Sequence, residues 1–287
     1  MNTAYNPGSL AVQDHEGVRE LADHVGRSIT PGIRPVAAAF LEAQPMLVIG
    51  AVDREGRVRA SLLTGPPGFV RATGPHTVSV AAALPEGTPD TAPVGTIALD
   101  PRTRRRMRLN GLARPSARGF TIEAEQVFSN CPKYLQRREL YGSEAARPEA
   151  GAVRHGEALT PDQVRLVRAA DTFFVATTAP DGVDASHRGG NPGFVGVDTP
   201  REIHWRDYPG NAMFLTLGNL EEDGRAGLLF LDWETGTTLQ LSGHAHTEYG
   251  PEGRAVRFRI DRTAETPAGS PLRWSAPEYS PANPPTP

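Results

Sequence analysis

Ala185-Ser186-His187-Arg188-Gly189-Gly190-Asn191-Pro192-Gly193-Phe194-Val195 restates an earlier passage, Ala60-Ser61-Leu62-Leu63-Thr64-Gly65-Pro66-Pro67-Gly68-Phe69-Val70, at a constant offset of 125 positions. A second block repeats at an offset of 132. Val94-Gly95-Thr96-Ile97-Ala98-Leu99-Asp100 returns as Ala226-Gly227-Leu228-Leu229-Phe230-Leu231-Asp232, and Leu109 to Ala113 returns as Leu241 to Ala245. The copies agree at glycine, proline, phenylalanine and leucine, the residues of a scaffold. They differ where chemistry can sit: Leu62-Leu63-Thr64 in the first copy is His187-Arg188-Gly189 in the second. One half reads as structural and the other as equipped to bind.

Working outward, the strand signals are short and frequent. Met46 to Val52 is an apolar run, Asp53 to Gly56 a turn, and Val58 to Leu63 the return strand of a hairpin. Thr77 to Ala83, Thr96 to Leu99, Arg105 to Ala113 and Phe120 to Phe128 continue the first series. Phe173 to Thr178, the stretch from Ala185, Ile203 to Arg206, Gly227 to Leu231, Thr238 to His246 and Arg254 to Arg259 form the second. No strand–helix–strand alternation runs through them. The pattern predicts a mainly β chain of two tandem antiparallel barrels with a few flanking helices. Its divisions are an N-terminal tail and helices over 1–44, a first half over 45–141, a linker over 142–159, a second half over 160–262 and a proline-rich tail over 263–287. Residues 1–13 read as a flexible tail. Spacing at Val18, Leu21, Ala22 and Val25 predicts a helix, and Val36 to Ala43 another. Cys131 to Tyr141, with Pro132 in its first turn, is expected to be helical, and Thr160-Pro161-Asp162-Gln163 to open a further helix.

Composition narrows the function. In 287 residues, 30 Lys and Arg face 33 Asp and Glu, which argues against a nucleic-acid partner. The single cysteine, Cys131, allows neither an intrachain disulfide nor a cysteine-built metal site, and reads as inert. Met1 to Gly17 lacks a basic region followed by an apolar one, and no run reaches the ~18 apolar residues of a membrane span. The expectation is a cytoplasmic protein without membrane association.

The chemistry-bearing stretch is Ser186 to Gly190. Arginine suits bidentate phosphate binding, and Gly189 and Gly190 let backbone N–H groups approach an anion. Strand alternation puts Ser186 and Arg188 on one face and His187 on the other. The plainer alternative is an internal ion pair for Arg188 and a glycine-shaped bulge. Trp205-Arg206-Asp207-Tyr208-Pro209-Gly210-Asn211, leading to Thr216 and Asn219, could stack on and hydrogen-bond a flat heterocycle, or be a surface loop. Lys133 and Gln136 share a face of the expected helix. His244 and His246 share a strand face, with no third metal ligand evident. Five arginines crowd Arg102 to Arg108, but the second copy has Glu234, Gly236 and Thr237 there, so that hairpin reads as solvated.

Together these segments resemble the pyridoxamine 5′-phosphate oxidase-like, FMN-binding split-barrel family, in a long form with two consecutive barrel halves. The carrying residues are Asp14-His15-Glu16-Gly17, Ala60 to Val70, Asn130 to Gln136, Ser186 to Val195, Pro209-Gly210-Asn211 to Leu220, and Gly227-Leu228-Leu229-Phe230. The resemblance implies FMN held between two barrel halves, with homodimerisation open. By position, Ser186 and Arg188 would approach its phosphate, with His187, Gly189 and Gly190 among the cofactor-binding residues. Trp205, Asp207, Gly210 and Asn211 would line its ribityl and ring region, Thr216 and Asn219 follow in the same cofactor-binding motif, and Lys133 and Gln136 would reach in from the expected helix. Ala212-Met213-Phe214-Leu215 stands where the long form carries more polar residues. The implied activity is flavin-dependent electron transfer from NAD(P)H or a partner reductase to a small acceptor. His187 and Tyr208 are the candidates for proton transfer. The alternative is a carrier or sensor of flavin, deazaflavin or haem without turnover.

Overall fold

The computed structural model describes residues 4–143, 150–251 and 253–285. Residues 144–149 of the expected linker, and the outermost residues of both tails, lie outside them. Three helices come first: α1 (Pro7–His15), α2 (Arg19–Gly26) and α3 (Pro35–Glu42). The first sheet follows as β1 (Met46–Val52), β2 (Val58–Thr64), β3 (Val70–Ala72), β4 (Thr77–Val80), β5 (Ala92–Asp100), β6 (Arg105–Ser116) and β7 (Gly119–Ser129). After β8 (Leu140–Ser143), β9 (Arg154–Gly156) and α4 (Pro161–Ala169) come β10 (Thr172–Ala179), β11 (Gly182–Gly189), β12 (Val195–Thr199) and β13 (Glu202–Arg206). The chain ends with α5 (Leu215–Glu222), β14 (Arg225–Leu231), β15 (Thr238–Gly250), β16 (Gly253–Thr266) and β17 (Leu272–Trp274).

The two sheets repeat one path. The first runs β2-β1-β5-β6-β7-β4-β3 and the second β11-β10-β14-β15-β16-β13-β12, antiparallel throughout. Each curls round its own core, and the path stays open between its end strands, giving two tandem antiparallel split barrels. Leu47 and Ile49 of β1, Val78 and Val80 of β4 and Phe120 and Ile122 of β7 meet inside the first. Phe173, Val175, Trp205, Phe230 and Phe258 fill the second.

The strands that join the halves are buried on both faces. In β1, Leu47 and Ile49 point into the barrel while Met46 and Val48 point at the other half. In β10, Phe173 and Val175 face inward and Phe174 and Ala176 outward. The outward sets, with Ile97, Leu99, Leu229 and Leu231, make a third core between the barrels. Continuous apolar runs at Met46 and Phe173 are the sequence trace of this double burial.

The contact is close because glycines sit on it. A Cβ on Gly95 of β5 would collide with the backbone of Asp184 on β11, and one on Gly227 of β14 with Arg59 and Val58 on β2. Gly95 matches Gly227, and Arg59 matches Asp184, in the duplicated sequence. The two contacts are therefore one contact made twice, as about a two-fold axis.

Three expectations are corrected. Residues 7–13 are not a tail. Asn6 caps α1 by accepting from the Ser9 amide at 2.8 Å, Pro7 opens it, and Gly8 lies against Gly218 of α5. Cys131 to Tyr141 is not a helix but irregular chain ending in β8. Tyr134 there has a left-handed φ of 64°, and the Arg137 amide bonds the Glu278 carbonyl at 2.9 Å, so its backbone groups pair outside the segment. The proline-rich tail expected over 263–287 is in part built into the sheets. Strand β16 runs through to Thr266, and β17 pairs with β8 and buries Leu272 and Trp274.

Candidate functional site

In β11, Ala185 and His187 share the face of Phe174 and Ala176 toward the first barrel, while Ser186 and Arg188 share the face of Val175 and Phe173. Ser186, buried, meets the Thr216 hydroxyl at 3.0 Å at the start of α5. Arg188 donates through Nη1 to Ser186 Oγ at 3.0 Å and lies 3.5 Å from Asp207. Its Nε has no partner. Asp207 also faces Arg254 at 3.3 Å, so its charge is divided between two guanidiniums and does not lock Arg188 in place.

Strand β6 of the first barrel supplies the opposite wall. Met107 and Leu109 point into the barrel core, so Arg106, Arg108 and Asn110 point at the other half. Arg106 donates to His187 Nδ1 at 2.6 Å and to the Cys131 carbonyl at 2.7 Å, and its Nε has no partner. Arg108 pairs with Asp184, covers the Phe128 ring at 5.1 Å and also leaves Nε unpartnered. The 102–108 hairpin is therefore not solvated as expected. Its two last arginines lie where the halves meet, Arg108 buried and Arg106 half-buried, a placement that single-strand alternation cannot distinguish from exposure to water.

Between these walls lies a partly open cavity of about 110 Å³. Arg106, Arg108, Lys133, Arg188 and Arg206 line it against one carboxylate, Asp207. Burial first, then the Arg188 charge, pulls Arg106 down to about 10. Burial, then Arg188 and Arg106, holds Arg108 well below its ordinary value. Burial also lowers Arg188, and Asp207 offsets part of this. Buried cations that destabilise one another, with donors left over, make a pocket suited to an anion.

His187 is fixed by the same neighbours. Arginine can only donate, so Nδ1 accepts and the proton sits on Nε2, which has no partner. Burial, then Arg106 and Arg188, keeps the ring well below its ordinary titration range. The imidazole is neutral and offers one N–H donor.

Of the residues expected at the site, Lys133, Ser186, His187, Arg188, Gly189, Asp207, Tyr208, Gly210, Asn211 and Thr216 line this cavity. Four are placed elsewhere. Trp205 is in the second barrel core, edge-on to Phe173 at 5.1 Å, because β13 turns it inward. Gln136 is a buried strut: it donates to the carbonyls of Tyr134, Asp171 and Gly190 and accepts from Ser280 and Asn283. Gly190 packs under the Phe194 ring and bonds Asp171. Asn219, on the far side of α5, joins Asn6 to Thr177. The histidines of β15 lie outside, with His244 against Asp261 at 2.9 Å and His246 against Glu248 at 3.6 Å.

No family model and no curated protein matches this chain. Among solved structures, a putative pyridoxamine 5′-phosphate oxidase from Lactobacillus delbrueckii is 16% identical, with a TM-score of 0.30 over 37% of this chain and 93% of that one. An FAD-binding protein from Mycobacterium smegmatis is 16% identical, with a TM-score of 0.28 over 40% and 98%. A putative pyridoxamine 5′-phosphate oxidase from Corynebacterium glutamicum is 11% identical, with a TM-score of 0.30 over 43% and 98%. The chain is thus similar, over less than half its length, to pyridoxamine 5′-phosphate oxidase-like and flavin-binding proteins of known structure.

Proposed function

We propose that the chain binds flavin mononucleotide between its halves and uses it to pass electrons from a nicotinamide donor or a partner reductase to a small acceptor. One observation carries the reading: three arginines, the buried Arg108 and the half-buried Arg106 and Arg188, converge from two barrels on one cavity, each with a buried, unpartnered Nε. A terminal phosphate supplies the acceptors and the negative charge they lack. Arg188 and Arg106 would hold it, with the Ser186 and Thr216 hydroxyls beside them, and Lys133 would add charge. Tyr134, Tyr208, Gly210 and Asn211 would flank the remainder of the ligand.

Bound there, the isoalloxazine would supply the redox chemistry, and the protein would supply orientation and electrostatics. The side chains nearest the cavity move few protons. His187 is held neutral and donates from Nε2 alone, so it acts as a fixed hydrogen-bond donor that does not titrate near neutrality. Arg106 and Arg188 remain charged and raise the affinity for an electron-rich ligand.

The test is the visible spectrum of the purified protein, and after added FMN, for the native chain and for Arg188→Ala. The native chain should bind flavin, seen as a band near about 450 nm that co-elutes with protein, and Arg188→Ala should lose it. Absence of the band from the native chain after saturation with FMN overturns the assignment. A bound flavin that neither NADPH nor NADH reduces would favour the carrier reading over the oxidoreductase.

A further inference from the structure

Five described residues other than glycine have left-handed φ, a conformation that L side chains adopt only at a cost. Three of the five line this one cavity: Tyr134 at 64°, Ala212 at 61° and Phe214 at 54°. They come from both halves, and the halves are tied there. The Tyr134 hydroxyl donates to the Pro209 carbonyl at 2.9 Å, and its ring meets Tyr208 at 5.1 Å. At the other end, the buried Met213 gives its carbonyl to Gln13 of α1 at 3.0 Å, and the Arg254 guanidinium covers Phe214 at 4.8 Å.

The cavity behind this segment is too small for the ligand its charge selects. Its volume is about 110 Å³, whereas pockets for cofactor-sized molecules have roughly 300 Å³ or more. A lone phosphate fits that space, but a tricyclic ring with its ribityl chain does not. Backbone strain concentrated at a cavity mouth marks a segment with a second, relaxed arrangement.

We propose that residues 209–214 are a gate, latched shut across the two halves by Tyr134 and loaded by the strain at Ala212 and Phe214. A flavin enters and leaves only when the latch opens, whereas inorganic phosphate passes without it. The gate deepens the flavin reading and rests on it for the identity of the large ligand. Latch and strain push in opposite directions, and this gives the proposal its signature.

Two variants of the full chain separate the terms. Tyr134→Phe removes the latch hydrogen bond and keeps the ring. Ala212→Gly removes the penalty of the closed backbone. Hydrogen exchange of amides in 209–214 should be about fivefold faster in Tyr134→Phe and about tenfold slower in Ala212→Gly, with no ligand present. Stopped-flow association of FMN, read by quenching of its fluorescence, should follow the same two directions. Phosphate affinity, measured by calorimetry, should be unchanged in both. Exchange that is unaltered, or altered in the same direction by both variants, overturns the gate. If FMN fails to bind every form while phosphate binds, the flavin reading falls and exchange still decides the gate.

Discussion

His187 concentrates the electrostatics of the site in a single ring. Its folded titration point lies well below the ordinary 6.5, from burial first and then Arg106 and Arg188. The unfolded chain takes up this proton near pH 6.5, and the folded chain resists it until much lower. Between the two values the unfolded state binds more protons, so stability falls as pH falls and is fully present above about 7.5. The native protein should lose roughly 1 kcal/mol between pH 6.5 and 5.5 from this group alone. His187→Gln should flatten that part of the profile in urea unfolding at each pH. Equal slopes in the two proteins would show that the ring titrates normally. At this scale the sequence spoke through contrast. His187 and Arg188 stood out because the other copy has Leu62 and Leu63. Arg106 and Arg108 alternate with the core residues Met107 and Leu109, but which surface their face meets depends on a barrel 80 residues further on, so their burial was hidden. Gln136 and Trp205 were misplaced for the same reason: polarity and aromaticity do not say which side of a strand or loop is inward.

Among the elements, α1 and α5 show how a segment without a clear apolar stripe becomes structure. The helix α1 docks by close backbone approach, with Val12 and Leu10 as its apolar contacts. A Cβ on Gly218 would overlap the Ser9 backbone, and one on Gly8 would overlap the Gly218 carbonyl. Asn6 and Gln13, both buried, tie it to Asn219 and to Met213. Small residues and amides carry no helical periodicity, and for that reason 7–13 reads as a tail. The β1–β2 hairpin, whose apolar run and turn residues are local, was legible almost to the residue, whereas β5, β15 and β16 extend several residues past their expected bounds. Gly218→Ala should push α1 off α5 and cost about 1–3 kcal/mol. Thermal unfolding measures the cost, and limited proteolysis should then cut within 1–18. Unchanged proteolysis with unchanged Tm would mean that the contact carries no energy. Since α5 presents Thr216 to the cavity, the same substitution should weaken FMN binding.

For the whole molecule, the duplication creates two equivalent places between the barrels and equips only one. By the repeat, Thr238 and Gln240 occupy the positions of Arg106 and Arg108, and Leu62 and Leu63 those of His187 and Arg188. At that second place Gln240 bonds the Ala60 carbonyl at 2.7 Å and Ser61 Oγ at 2.8 Å, leaving its amide N–H satisfied within the protein. Leu62 packs on the inter-barrel core with Leu272 and Trp274, brought in by the β8–β17 ribbon. On the proposed reading, the pair of barrels offers one anion site among the described residues. Its ligand touches both barrels, so saturation should raise stability by linkage, about 2.7 kcal/mol at a hundredfold excess over Kd, and scanning calorimetry reads this as a higher Tm.

The most direct measurement is a calorimetric titration of the native chain with FMN and, in parallel, with riboflavin, which carries the same ring and no phosphate. The arginines predict one FMN per chain and at least about tenfold weaker riboflavin, from a single charged hydrogen bond or more. They also predict that Arg188→Ala brings the two affinities together. Equal affinities for FMN and riboflavin in the native chain, or two equivalent FMN sites per chain, would contradict a ligand held by its phosphate at the one equipped interface.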